Sequence, residues 1–328
     1  MNWDQERVAD EHAMIAIAFR RHCQANGYSE SERAPLRAKG NPTLRFHNSS
    51  ISVLMRHCAY EDTQPLFLLQ PALRLRNQAY VKQTGRMSPY GCYFIAFGTL
   101  CSPNRLSQCF REFETFFLDA LKIPASRLVL RVTAEDKDFL QLISESRVQV
   151  EIDGCDKRFF RHKFGVDGVS GRNINMAIVS LGQLWDVANL IVLERDGRPW
   201  AVEAAFGINN ILTRREEMTH PVLATTAAAL GYSGKPDLIL MDSLSSAVAL
   251  AMEGFEPRAR GREGNYRQFV GRLSRAGLTE SSRINEAIWD ATMAERKIRD
   301  VISKPSARVV DLPHEVAARQ LMRHVTQY

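Results

Sequence analysis

Ala201-Val-Glu-Ala-Ala-Phe-Gly-Ile-Asn-Asn-Ile-Leu212 reads as a buried strand that runs through Glu203 into a helix, with Gly207 at the junction. A lone acid on a buried apolar strand is costly unless it meets a cation or a metal. Upstream, Val187–Leu193 and Pro199–Ala205 form a hairpin around Asp196-Gly197, a favoured tight-turn pair. Further out, Glu11–Ala25 has an amphipathic helical pattern that stops at Asn26-Gly27. Pro65–Leu75 and Cys92–Leu100 read as strands, with the polar Val81–Arg86 as a mobile loop between them. Asn104–Leu121 is helical, with a phenylalanine stripe; Leu128–Val132 is a strand and Asp136–Ile143 a helix. Beyond Met218 the pattern turns helical, with Ser243–Met252, Tyr266–Ala276 and Arg283–Ile302 as separate helices. The expected organisation is an α+β domain over residues 1-220, an antiparallel sheet flanked by helices, followed by a helical domain over residues 221-328.

The 328 residues are 45% apolar, enough for a sizeable core, and carry a net charge of +6. That balance suits an anionic partner such as ATP, nucleic acid or an acidic carrier, and it also suits an ordinary basic protein. Cys23, Cys58, Cys92, Cys101, Cys109 and Cys155 contain no CxxC pair, so neither a zinc site nor a disulfide framework is expected. Scattered thiols, no apolar run of membrane-spanning length and a polar N-terminus point to a cytoplasmic protein without a membrane partner.

Arg74 and Arg76 alternate with apolar residues at strand period, which puts both on one sheet face, suited to gripping phosphate or carboxylate. An ordinary surface strand with solvated arginines has the same pattern. Phe94 is either a platform for a flat base or plain core. The glycines of Gly165-Val-Asp-Gly-Val-Ser-Gly171 suit a backbone that approaches a ligand, and equally a plain turn.

The frame around Glu203 resembles the third signature motif of class II aminoacyl-tRNA synthetases, in its alanyl form. The resemblance is collinear. Phe19–Tyr28 is similar to the opening helix of alanyl-tRNA synthetases, and Asn41-Pro-Thr-Leu-Arg-Phe-His-Asn48 to their Asp-Pro-Thr-Leu-Leu-Phe-Thr-Asn segment. Gln70–Arg74 matches the start of motif 2, Tyr93-Phe94 falls on a Phe-Phe pair, and Ile123–Val132 aligns with a linking strand. Gly165, Gly168 and Gly171 reproduce the spacing beside the amino-acid pocket. Asp242 to Gly277 aligns with the first tRNA-recognition helices, keeping Asp242, Gly254, Pro257, Gly261, Arg262, Arg267, Arg272 and Gly277.

The resemblance implies activation of a small amino acid with ATP, usually with Mg2+. It makes Arg74, the catalytic candidate, the α-phosphate ligand, with Arg76 beside it, and Phe94 the adenine platform. Glu203 would bind the substrate ammonium, with Gly207, Trp185 and His162 shaping the pocket. Four departures stand out. The phosphate-gripping Arg of motif 3 is Asn210, with Arg214 and Arg215 a turn further on as possible replacements. A motif-2 loop Arg is Pro89, with Lys82 and Arg86 in the same loop. A pocket Trp is His162, and the base-reading Asn of the acceptor-stem segment is Ala259, which offers no hydrogen bond to a base. Arg258, Arg260, Arg262, Arg267 and Arg272 form either a phosphate-binding cluster or a solvated face. The expectation is a stand-alone paralogue, without editing and C-terminal domains, that passes the activated acyl group to a tRNA, a carrier protein or an amine. The alternatives are a trimmed alanyl-type tRNA ligase and an inactive regulatory module.

Overall fold

The computed structural model describes residues 3–38, 44–230, 237–302, 309 and 311–328, apart from the side chains of residues 229 and 277–282. Asn41, Pro42 and Thr43 of the motif-like segment lie outside these residues, as do residues 231–236 near the expected start of the helical domain. The α+β arrangement expected from the sequence, an antiparallel sheet flanked by helices and followed by helices, is present.

Helix α1 (Gln5–Ala25) starts a turn and a half before the periodic pattern does, because the Asp4 side chain caps it by accepting from the Arg7 N–H. Strand β1 (Ser29–Glu30) and the short helix α2 (Ile51–Leu54) precede β2 (Leu66–Leu73). Here the structure corrects the sequence reading. The strand stops at Leu73, and Arg74 caps a helix, α3 (Leu75–Thr84), on which Arg76 lies. Arg74 and Arg76 therefore do not share a strand face. The expected loop at Val81–Arg86 is largely the end of this helix, closed by Gly85 in the left-handed region (φ 66°). Its polar composition is absorbed by buried amides: Asn77 donates to the Gly91 carbonyl (2.5 Å), and Gln78 and Asn265 exchange hydrogen bonds.

The chain returns through β3 (Tyr93–Cys101) and α4 (Leu106–Thr115), which continues as a π-helical turn to Ala120. There follow β4 (Leu128–Val132), α5 (Lys137–Ile143), β5 (Gln149–Ile152), β6 (Arg161–Lys163), β7 (Val169–Ser180), β8 (Gln183–Arg195), β9 (Arg198–Gly207) and α6 (Ile208–Arg215). Among the described residues the strands form one sheet in the order β1-β2-β3-β9-β8-β7-β4-β5, with β6 alongside β7. All neighbours are antiparallel except β1 with β2 and β4 with β5. Asp196 and Gly197 both have positive φ (51° and 75°), as the expected primed turn requires. Leu181 and Gly182 make the same kind of turn between β7 and β8.

One sheet face carries the main core. Phe97 and Phe206 stack at 4.8 Å, and the Phe19 and Phe116 edges close on them from α1 and from the turn after α4. The opposite face has a smaller core, in which Ile51, Val53 and Leu54 of α2 cover Leu68, Leu100, Ile191, Leu193 and Ala201. The rest of that face remains for the site.

Helix α7 (Leu238–Met252) is buried all round from Met241 to Met252. It is wrapped by α8 (Gly261–Ile302) and α9 (His314–Thr326). The two helices expected at Tyr266–Ala276 and Arg283–Ile302 are one continuous α8. Packing against α1, α7 and α9 outweighs the local cost of Gly277, which is about 1 kcal/mol for a helical glycine.

A buried ionic cluster ties these helices to the sheet. Arg299 pairs with Glu295 (2.8 Å) and Asp311 (2.5 Å), lies 3.8 Å from Glu253 and donates to the Ala249 carbonyl. Arg33, from the loop after β1, also pairs with Asp311; Tyr93 of β3 donates to Glu295, and Glu253 accepts the Leu36 N–H (2.8 Å). Burial pushes the Glu253 and Glu295 carboxyls above their ordinary range, while the acids around it hold Arg299 firmly protonated. Arg299→Met leaves these acids without their cation; urea unfolding is expected to register a loss of about 3–5 kcal/mol.

Candidate active site

The register of the central strands sets one row of side chains on the open face. Glu203 lies between Leu100 of β3 and Ile191 of β8, and Asn173 of β7 faces Ile191 from the other side. The next row runs Gly98, Ala205, Asn189, Asn175 and Arg131. Ala96 lies opposite Gly207, and His162 of β6 opposite Gly171. Because paired residues share a face, this gives a floor of small residues with Phe94 and Arg74 at one wall and asparagines and His162 at the other.

Glu203 is 1% exposed. Its Oε1 accepts the Ser50 hydroxyl (2.6 Å), and its Oε2 has no partner. Gly98 makes this possible, since a Cβ there would sit 2.4 Å from Ser50 Oγ. Burial lifts the Glu203 carboxyl to about 7, against the opposing pull of Ser50, the Ile51 N–H and the Arg74 charge.

Arg74 donates from Nε to the Asn48 carbonyl (3.1 Å), and its guanidinium lies 4.6 Å over the Phe94 ring. Burial, then the charge of Arg76, lowers it to about 10. The Phe94 ring lies beside Gly207, where a Cβ would be 3.5 Å from it. Arg76 is exposed on α3.

Asn210 and Arg214 follow Gly207 on α6. The Asn210 amide donates to the Asp186 carbonyl (2.7 Å) and so ties α6 to β8. Arg214 is 1% exposed, its guanidinium 3.6 Å over the Trp185 ring, with one long bond to the Met218 carbonyl (3.5 Å). Its Nε and the Trp185 Nε1 are buried without partners. Burial lowers Arg214 to about 10, opposed by the neighbouring Tyr90 hydroxyl. The His162 ring lies 6.0 Å from Phe164; burial, then Arg74, holds it below the ordinary imidazole range.

The five C-terminal arginines do not form one free basic face. Arg262 donates to the Arg45 and Ala38 carbonyls (2.5 and 2.7 Å), and Arg272 faces Asp242 and Cys92 inside the molecule. Arg258 and Arg260 are exposed, and Arg267 stacks on Tyr328 at 5.1 Å. Asp242 accepts the Cys92 N–H (2.6 Å), and Cys92 in turn accepts the Arg74 N–H (2.8 Å). Lys82, Arg86 and Pro89 lie exposed on and after α3.

Gly165 and Gly168 take left-handed conformations (φ 69° and 72°), and Gly171 packs under Ile191, so turn geometry and packing account for all three glycines. Sequence reasoning missed Ser50, Asn173, Asn175 and Asp186. Asn173 and Asn175, two amides at strand period on an otherwise apolar strand, were a readable signal; Ser50 left none. Among the described residues no group of three His, Cys, Asp or Glu side chains could hold a metal. The site thus has no protein cage for Mg2+, which would have to arrive with the phosphates it neutralises, as is common for this ion.

No protein family matches this chain, and no curated protein matches it. Among solved structures it is similar to aminoacyl-tRNA synthetases. One is asparaginyl-tRNA synthetase from Entamoeba histolytica in complex with asparaginyl-adenylate (TM-score 0.41, 10% identity, covering 67% of this chain and 66% of that one). Another is aspartyl-tRNA synthetase from the same organism (0.41, 11%, 66% and 57%). A third is asparaginyl-tRNA synthetase from Pyrococcus horikoshii with asparaginyl-adenylate (0.40, 10%, 67% and 67%). The chain spans 57–67% of their lengths. None of the three is an alanyl enzyme, so the alanyl character rests on the motif residues alone. No helix among the described residues is long and apolar enough to cross a membrane.

The Glu203 carboxyl has a measurable consequence. Between its ordinary 4.5 and about 7, the folded protein holds a proton that the unfolded chain has released. Stability is therefore present below the lower value and lost as pH rises through the window, by an amount on the order of 3 kcal/mol. Glu203→Gln removes this dependence: the difference in unfolding free energy between variant and wild type is expected to grow in the variant's favour from pH 5 to pH 8.

Proposed function

We propose that this chain activates an amino acid with ATP, forming an aminoacyl-adenylate that is then passed to an acceptor. The reading is carried by one observation. A buried carboxylate with a free oxygen, Glu203, and a half-buried guanidinium without a salt-bridging acid, Arg74, share one open sheet face, and a second unmatched guanidinium, Arg214, lies on α6, the helix that leaves the Glu203 strand. Such a face is unbalanced until a ligand supplies a cation at one point and anions at others.

The substrate ammonium sits at Glu203 and completes its hydrogen bonding, restoring the charged carboxylate. Phe94 presents an aromatic face for adenine, and Arg74 meets the α-phosphate. The substrate carboxylate oxygen attacks the α-phosphorus, and the bond to the bridging oxygen breaks, releasing pyrophosphate. The protein contributes position and charge. Arg214, supported on Trp185, takes the polyphosphate end in place of the arginine replaced by Asn210. Mg2+ would neutralise phosphate charge there.

The acceptor is a tRNA, a carrier protein or a small amine. For tRNA, Arg258, Arg260 and Arg267 are exposed to meet phosphates, Arg262 and Arg272 are half-buried against the protein's own groups, and Ala259 provides no base readout. The commitment of Asn210 to the Asp186 carbonyl favours a second reading, an inactive module that keeps the fold for a partner. Calorimetry with ATP and Mg2+ separates the two, because an inactive module of that kind shows no nucleotide binding.

The decisive assay is amino-acid-dependent exchange of labelled pyrophosphate into ATP. Arg214→Ala is expected to slow exchange by about 100- to 1,000-fold, the usual cost of removing a donor from developing charge. Exchange that is unchanged in Arg214→Ala removes Arg214 from the site, and absence of exchange with every amino acid removes the activation reading.

A further inference from the structure

The far wall of the groove carries a directional chain of amides. Asp186 is held by Arg131 (2.9 Å), which also pairs with Glu151 (2.5 Å). Asn175 lies beside Asp186 and, after Arg131, helps hold its carboxyl down against the upward push of burial. A carboxylate can only accept, so Asn175 must turn its NH2 toward Asp186 and its carbonyl away. That carbonyl accepts from the Asn173 NH2 (2.5 Å). Asn173 is therefore left with its own carbonyl facing onward. This Oδ1 is buried and has no partner, in a residue that is 0% exposed. The orientation of both amides follows from the anchoring acid.

Beside it stands the His162 ring, whose imidazole the adjacent Asn173 side chain pushes up against the larger effect of burial, although its Nε2 is buried with no partner in hydrogen-bond geometry. The ring is neutral near pH 7, so Nε2 can carry a proton to donate. The wall thus offers one free acceptor and one available donor side by side. Asn173 and Glu203 lie two strands apart across Ile191, a spacing of roughly 9–10 Å between backbones, much of it filled by the side chains themselves. The interval that remains suits an ammonium at Glu203 and a short side chain pointing at Asn173. Ile191 packs tightly under Gly171, where a Cβ would be 2.9 Å from its Cγ2, so the floor there does not deepen.

We propose that the amino acid recognised here carries a short hydroxylated side chain, whose O–H donates to Asn173 Oδ1 and whose oxygen accepts from His162 Nε2. This rests on the activation reading and narrows it to a substrate class. A hydroxyl is both donor and acceptor and satisfies both orphaned atoms, whereas a methyl group leaves both unpaired. Sites built around a substrate hydroxyl discriminate strongly against the analogue that lacks it.

The test is pyrophosphate exchange by the full chain with glycine, alanine, serine, threonine, homoserine, asparagine and lysine, followed by kcat/KM for each active substrate. A hydroxylated amino acid is expected to exceed alanine by about 100-fold or more. That ratio should collapse toward unity in Asn173→Ala and in His162→Ala. Damage to folding would lower both substrates together and leave the ratio intact, and either variant alone suffices should the other fail to fold. A best substrate that is apolar, amidic or cationic overturns the proposal and leaves activation standing. So does a ratio that survives both substitutions. Exchange with no amino acid removes the activation reading and this proposal together.

Discussion

The grip of the C-terminal helices on the start of β3 is the interaction on which the site depends. Asp242 of α7 accepts the Cys92 N–H, and Glu295 of α8, neutralised by Arg299, accepts from Tyr93. Cys92 then accepts the Arg74 N–H, and Tyr93 is followed by Phe94, whose side chain turns to the opposite face. Two buried acids from the helices thus determine where Arg74 and Phe94 stand. Buried acids are expensive, and their retention here matches a specifying role: an apolar substitute would pack yet would not select one register for the strand. Asp242, the first residue of the segment that resembles tRNA-recognition helices, works on the protein's own backbone.

The site itself is a set of deliberate imbalances. In the cluster around Arg299 a buried cation is matched by several acids. On the open face Glu203 keeps an unpaired oxygen and Asn173 a free carbonyl, and on α6 Arg214 rests on an indole with no acid beside it. Each costs stability in the free protein, because a desolvated polar atom without a partner forfeits its hydration.

Several parts of this were legible from residue pattern. The strand through Glu203, its hairpin partner around Asp196-Gly197 and the junction at Gly207 follow from alternation and turn chemistry, which are local. Arg74 and Arg76 misled for a physical reason. Alternation over a few residues does not say where a strand ends, and β2 ends at Leu73 because the polar side chains of α3 find buried partners at Gly91 and Asn265. The long α8 was divided at Gly277 for the same kind of reason, since local breakers lose to the packing of three other helices.

By itself the sequence determined the fold class and the strand-to-helix motif with its lone acid, both of which are written in short-range order. Only the tertiary structure decided what those residues do. Ser50 reaches Glu203 across 153 positions of chain, over a glycine that leaves room for it. Arg214 becomes a buried, unmatched cation because Trp185 of β8 lies beneath it. Arg262 and Arg272 turn inward to the protein's own groups and away from any RNA. Charge and hydrogen-bonding capacity belong to a residue, but whether they are spent internally or left for a ligand depends on what the fold brings within about 3 Å of them.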